Sequence, residues 1–304
     1  MKENPSSLWS ADEETKKNSN LSLFCKNLDK KKLLKYSEDF KNLWKWSINN
    51  PEIFWSEVWD FTKIKGLKGK KVIKKNKIFY KNKFFPESKL NYAENLLAKK
   101  NEEIALSFLS ESGIEKKMTW KKLYSDVCKF SHYLKKIKIK EKDRVAAYVP
   151  NSIETIVSFL AVSKNGLIWS SCSPDFGIQG VIDRFFQIKP KVLITSDYYF
   201  YNGKKINILE KIPNILKKIK SIKKVIVFPY SGKFENKKEK KYLDFNSIIN
   251  DSEIDEVFKK FNFDHPLYIL YSSGTTGVPK CITHSAGNVL LEHNKEFSLH
   301  CNIQ

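Results

Sequence analysis

The sequence predicts an α/β fold, a doubly wound and mostly parallel sheet preceded by an aromatic-rich helical region, and three observations carry that prediction. Short apolar runs alternate with helix-period segments from residue 104 to residue 271, the pattern of successive βα units whose sheet is covered on both faces. The apolar run 267–271 opens into a Ser/Thr/Gly-rich loop, and such sheets bind ligands beyond the carboxyl ends of their strands. Ahead of the alternation, six aromatics crowd between residues 44 and 61 around Pro51.

Residues 1–40 are polar and lysine-rich, with no clear periodicity, and are expected to be a loosely ordered N-terminus. Trp44, Trp46, Phe54, Trp55, Trp59 and Phe61 follow, several at spacings of three and four, with Pro51 opening a helix; this spacing marks a packed face more than a stacking surface for bases or sugars. A basic, glycine-punctuated stretch at 68–83 leads to Leu-Asn-Tyr-Ala-Glu-Asn-Leu-Leu at 90–97, a short helix, and a boundary is placed near Lys100. Residues 41–100 then form one region and 101–304 another. A strand is expected at 104–109, and Thr119 caps a helix whose apolar residues recur from Trp120 to Ile137. Cys128 and His132 flank that stripe as packing or surface residues. Strands follow at 144–149, 167–171, 191–195, 223–228 and 267–271, with helices at 153–163, 180–188 and 208–219, and the charged stretch 230–241 reads as a surface loop.

With 304 residues, 41% of them hydrophobic, the chain can bury a sizeable core in one large or two modest domains. No apolar run approaches the roughly 18 residues of a membrane helix, and the first residues lack a signal peptide's apolar segment, so a cytoplasmic location without membrane association is expected. Cys25, Cys128, Cys172, Cys281 and Cys301 are scattered and read as free thiols. The net charge of +21 raises nucleic-acid binding, but Arg144 and Arg184 are the only arginines and the lysines run along the whole chain. Base readout leans on arginine's planar fork; dispersed lysines favour small anionic substrates instead.

The loop supplies the chemistry. Ser272, Ser273, Thr275 and Thr276 offer four hydroxyls, Gly274 and Gly277 permit close backbone approach, and Lys280 places a cation after the stiff Pro279. The natural guest is a polyphosphate, set against the plainer reading of a turn after a core strand. It is not the P-loop of NTPases, because Gly69-Lys70, Gly203-Lys204 and Gly232-Lys233 are not followed by Ser or Thr. His-Glu-x-x-His, Gly-x-Ser-x-Gly and Gly-x-Gly-x-x-Gly are absent. Glu292, His293, His300 and Cys301 could be drawn as a metal site, but a helix packing on the sheet explains them more simply, and no metal ligands are assigned.

Ser-Ser-Gly-Thr-Thr-Gly-Val-Pro-Lys resembles the phosphate loop of the adenylate-forming acyl-CoA synthetases. Leu43–Ser47, Phe54–Phe61, Leu90–Leu97, Leu290–His293 and Ile-Trp-Ser-Ser-Cys-Ser-Pro-Asp-Phe-Gly at 168–177 are similar to the acetoacetyl-CoA synthetase branch. The resemblance implies an acid–thiol ligase that joins acetoacetate to coenzyme A with ATP and Mg²⁺ through an acyl-adenylate. Ser272, Ser273, Gly274, Thr275, Thr276, Gly277 and Lys280 would hold the ATP phosphates; His284 matches a His the family commonly carries just after this loop, set against the plainer reading of a hydrogen-bonded residue that positions it; and Lys204 would lend charge toward coenzyme A phosphates, set against a solvated surface lysine. Cys281, Ala286 and Asn288 depart from the residues usual there. The catalytic residues of the adenine, ribose and acyl pockets are expected beyond residue 304, so the chain reads as an N-terminal fragment, inactive alone, whose partner is the missing C-terminal half if the gene is split. An acetyl or other short-chain acyl-CoA synthetase stays open, as does a non-catalytic partner subunit or a lysine-rich nucleic-acid binder.

Overall fold

The computed structural model describes residues 10–37, 39–232, 242–272 and 277–303. The chain divides into two compact units, one comprising Met1–Ile64, Lys68–Glu87 and Asn288–Gln304, the other Lys65–Leu67 and Ser88–Gly287.

The larger unit is built on seven strands: β1 (Arg144–Tyr148), β2 (Ile168–Cys172), β3 (Val192–Ser196), β4 (Lys224–Phe228), β5 (Tyr242–Asp244), β6 (Pro266–Tyr271) and β7 (Cys281–Ser285). Their order across the sheet is β5-β4-β3-β1-β2-β6-β7. Every neighbouring pair is parallel except β6–β7. The sheet is therefore doubly wound and mostly parallel, as expected. All five residues of β3 are buried, which is why the parallel strands read as continuous apolar runs and not as alternation.

Helices α1 (Trp120–Lys136), α2 (Ile153–Lys164), α3 (Ile178–Ile188), α4 (Ile212–Lys218) and α5 (Phe245–Asp251) cover the sheet. Thr119, Ser152 and Asp244 cap α1, α2 and α5 by accepting from Lys122 N (3.2 Å), Thr155 N (3.2 Å) and Ser247 N (2.8 Å). Val181 and Phe185 of α3 and Ile212 and Ile215 of α4 pack on Ala146, Tyr148, Leu193 and Val227. Residues in between, such as Val145 and Ala147, must face the opposite side, where the ring of Phe245 of α5 lies tilted against that of Phe130 of α1, centroids 5.0 Å apart. Helix α3 ends where Lys189 turns left-handed (φ 48°) ahead of Pro190.

Several elements lay outside the sequence expectations. The expected strand Ile104–Leu109 pairs antiparallel with Glu115–Thr119, a strand the sequence did not announce. Tyr198–Tyr201 and Lys204–Asn207 form a hairpin whose turn residues, Asn202 (φ 50°) and Gly203 (φ 72°), have the left-handed pair that an Asn-Gly turn favours. The helix expected at 208–219 begins as a 3₁₀ turn, Leu209–Lys211.

Of the N-terminal stretch 1–40 expected to be loosely ordered, residues 1–9 lie outside the described residues, while much of the described part is helical. Helices run over Glu13–Asn18 and Asn20–Lys30, capped by Asp12 and Ser19, and the second buries Phe24 and Leu28. The apolar spacing Leu21, Phe24, Cys25, Leu28 supplies the buried stripe among the lysines. Phe24 meets Phe54 (6.2 Å) and Phe61 (5.2 Å) edge-on, and Trp59 lies 5.0 Å from Phe85. Pro51 opens the helix Pro51–Phe61 as predicted. Trp44, by contrast, is 51% exposed: it sits on Phe40–Asn49, a helix that buries only Leu43.

Candidate functional site

Strand β6 ends at Tyr271 and β7, beginning at Cys281, runs antiparallel to it, with Tyr271 opposite Cys281 and Tyr268 opposite His284. Ser273, Gly274, Thr275 and Thr276 lie outside the described residues. The base of the loop is described: Ser272 N donates to Lys280 O at 3.1 Å, and Gly277 has φ 113°, a conformation side chains disfavour. Lys280 is exposed, and no described residue forms an ion pair with it. A hydroxyl, a glycine with freed backbone and an unneutralised cation suit a mobile anion. His284 is half-buried, its ring 5.2 Å from that of Tyr268, so it supports the returning strand and lies along it from the loop, not within it.

The strand beneath the loop is pinned from both sides. Ser170 Oγ of β2 donates to Ile269 O at 2.9 Å and lies 3.0 Å from Tyr271 Oη. Burial pushes the Tyr271 phenol well above its usual value, so it stays neutral. The Arg184 guanidinium sits 4.1 Å from the Phe176 ring centroid and 5.7 Å from that of Tyr271.

A second feature occupies the crevice where strand order reverses, beyond the carboxyl ends of β1, β2 and β3. A cavity of about 320 Å³ is lined there by Val149, Asn151, Ser173, Asp175, Tyr199 and Tyr201 among others. Part of its wall is Ser173–Asp175 of the Ser-Pro-Asp-Phe-Gly segment, which is held by a partly buried network. Tyr148 Oη lies 2.9 Å from Pro174 O and 2.7 Å from Phe176 O. Lys211 Nζ donates to the same phenol and to Pro174 O, both at 3.3 Å. Tyr199 Oη and Ser173 Oγ donate to the two oxygens of Asp175 at 2.8 and 2.7 Å. Burial, reinforced by that carboxylate, pushes Tyr199 up to about 12, and burial, opposed by Arg184, raises Cys172 to about 12; Cys172 is buried and packs in the core. Lys204 lies on the adjoining hairpin, paired with Tyr201 and exposed. Glu111 fixes that hairpin's tip by accepting from Asn202 N (3.0 Å) and Gly203 N (2.8 Å). The cavity's lining includes neither the described loop residues nor Lys204. Among the described residues no cluster of His, Cys, Asp and Glu is placed to hold a metal.

A family profile described as "AMP-binding enzyme" matches residues 93–300, which include both features. The chain belongs to the AMP-binding enzyme family. Among its AMP-binding relatives, the acetoacetyl-coenzyme A synthetase of Rhizobium meliloti (strain 1021) is 40% identical over 271 residues, covering 88% of this chain and 41% of the relative. The acetoacetyl-CoA synthetase of Xenopus tropicalis is 40% identical over 283 residues, covering 86% and 41%, and a malonamoyl-CoA synthetase of Penicillium aethiopicum is 35% identical over 281, covering 87% and 39%. The solved structure of acetoacetyl-CoA synthetase from Streptomyces lividans superposes with a TM-score of 0.90 at 30% identity, covering 98% of this chain and 46% of that one. The chain thus spans about two fifths of the length of these curated relatives.

The sequence singled out residues 272–280 and the Ser-Pro-Asp-Phe-Gly segment. It missed Tyr148, Tyr199 and Lys211, which hold that segment, and Arg184 and Gln187, which reach the loop's strands. An aromatic run, Tyr198-Tyr-Phe-Tyr, beside an Asn-Gly turn was the one signal available for Tyr199.

Proposed function

We propose that this chain forms the phosphate-loop portion of an ATP-dependent, AMP-forming acid–thiol ligase that makes acetoacetyl-CoA from acetoacetate and coenzyme A, in the cytoplasm. The observation that carries the reading is the loop at the end of β6: Ser-Ser-Gly-Thr-Thr-Gly-Val-Pro-Lys, closed at its base by Ser272 and Lys280, in a chain 40% identical to acetoacetyl-CoA synthetases.

A carboxylate resists thiol attack until its oxygen is made a leaving group. In the first half-reaction its oxygen attacks the α-phosphorus of ATP and pyrophosphate departs; in the second the thiol attacks the acyl carbon and AMP departs. Charge develops on the departing pyrophosphate, where Lys280, the loop hydroxyls and its backbone amides stabilise it. Mg²⁺, when bound to the nucleotide, shares that neutralisation. The cavity beyond β1–β3, with Lys204 beside it, is the site we assign to part of coenzyme A. Small anionic substrates accord with the +21 charge.

In a polypeptide extending this chain over its relatives' full length, AMP release should require both acetoacetate and coenzyme A and should fall at least tenfold in Lys280→Ala, as expected for loss of a charged contact of about 1.5–3 kcal/mol. Equal turnover of acetate would overturn the acyl assignment, and no acid-dependent AMP release would overturn the chemistry. The malonamoyl-CoA synthetase relative makes malonamate the second acid to test.

A further inference from the structure

We infer that Gln187 is a positioning residue for the limb carrying Lys280; the inference rests on the phosphate-loop reading above. Gln187 lies on α3, outside the loop and 92 residues from it in sequence, yet its side-chain amide donates from Nε2 to Pro279 O at 2.9 Å. The same amide's Oε1 accepts from Cys281 Sγ at 3.5 Å. These partners are the residues immediately before and after Lys280. With Ser272 N bound to Lys280 O, three consecutive residues are each held from outside the limb, two of them by one side chain. The amide orientation is chemically determined, because Nε2 also donates to Asp183 O at 2.7 Å and only the NH₂ can face two carbonyls.

The platform under Gln187 is rigid. Val181 and Phe185 of α3 are fully buried, and Arg184, less than one turn before Gln187, lies over Tyr271 at the end of the outgoing strand. Residues 180, 184 and 187 share one helix face, so α3 holds the strand entering the loop through Arg184 and the limb leaving it through Gln187. A lysine on a long flexible stem binds an anion well only if its Cα is already fixed, since ordering the backbone at binding would weaken affinity. Gln187 thus acts through Lys280 and does not touch the phosphates.

The test uses the 304-residue chain, inorganic tripolyphosphate as the probe and titration calorimetry with parallel thermal melts. Gln187→Ala should raise the tripolyphosphate Kd about three- to tenfold, the range for loss of net hydrogen bonds, with the melting temperature unchanged because the side chain is exposed. Gln187→Glu should raise it further, since a carboxylate cannot donate to Pro279 O. Gln179→Ala, on the same helix and also exposed, should leave Kd within about twofold. Hydrogen exchange in peptides covering residues 277–285 should quicken in Gln187→Ala alone. If Lys280→Ala loses affinity while Gln187→Ala binds as wild type, or if Gln187→Ala and Gln179→Ala weaken binding equally, the inference is wrong and the phosphate loop stands. If wild type binds no tripolyphosphate, the loop reading fails and takes this inference with it.

Discussion

Gly166 tests the packing that brings β2 beside β6. It has φ 67°, and a Cβ there would lie 2.5 Å from two ring atoms of Phe261 and 3.1 Å from His265 Nε2. Phe261 and His265 are themselves buried and stacked, with ring centroids 4.6 Å apart, so neither ring can retreat cheaply. Gly166→Ala therefore combines the left-handed penalty of about 1 kcal/mol with an overpacking cost of about 1–3 kcal/mol. The total, about 2–4 kcal/mol, is a large share of the roughly 5–15 kcal/mol that holds a domain together. Gly113 is the control: its φ is 81°, but a Cβ there meets nothing within 4 Å, so Gly113→Ala should lose only the backbone part, about 1 kcal/mol. Urea denaturation of both variants measures the difference, and Phe261→Leu added to Gly166→Ala should recover part of the steric loss. Equal losses at the two glycines, or no recovery, would refute the steric argument.

His265 should make stability depend on pH. Burial lowers its pKa, opposed by its bond to Gly166 O and by Glu141 at 3.8 Å, with Lys142 and Lys259 acting in the same direction as burial. A depressed folded value means stability is fully present above the unfolded pKa, about 6.5, and is lost as pH falls through the folded value. The urea midpoint should therefore decline below about pH 6.5 in wild type and less steeply in His265→Gln; parallel curves would sink the assignment. Asn91 is fully buried, its Nδ2 donating to Lys164 O (3.0 Å) and Lys259 O (2.7 Å) and its Oδ1 accepting from Glu94 N (3.2 Å). Asn91→Ala strands two carbonyls and a helix cap and should lose about 2–4 kcal/mol; a loss under about 1 kcal/mol would show that water takes over those partners.

The sequence by itself determined what depends on neighbours along the chain. Strands buried on both faces are mostly apolar, so the runs at the centre of Val192–Ser196 and Lys224–Phe228 could be read directly. Thr119 announced its helix because a cap bonds three residues ahead. The proposed phosphate loop could be singled out as chemistry, since hydroxyls, glycines and a lysine at that spacing suit a polyphosphate. Local signals also existed where the reading fell short, as with Ser19 capping Asn20–Lys30 and the Asn-Gly turn at 202–203. Only the tertiary structure decided that Cys281–Ser285 returns antiparallel, that Tyr148 and Tyr199 lock the Ser-Pro-Asp-Phe-Gly segment, and that Gln187 reaches Pro279. Each of these is a bond between residues brought together by helix and strand packing, and a hydrogen bond confined to about 3 Å and a narrow angle leaves no trace in composition or period until that packing sets the geometry.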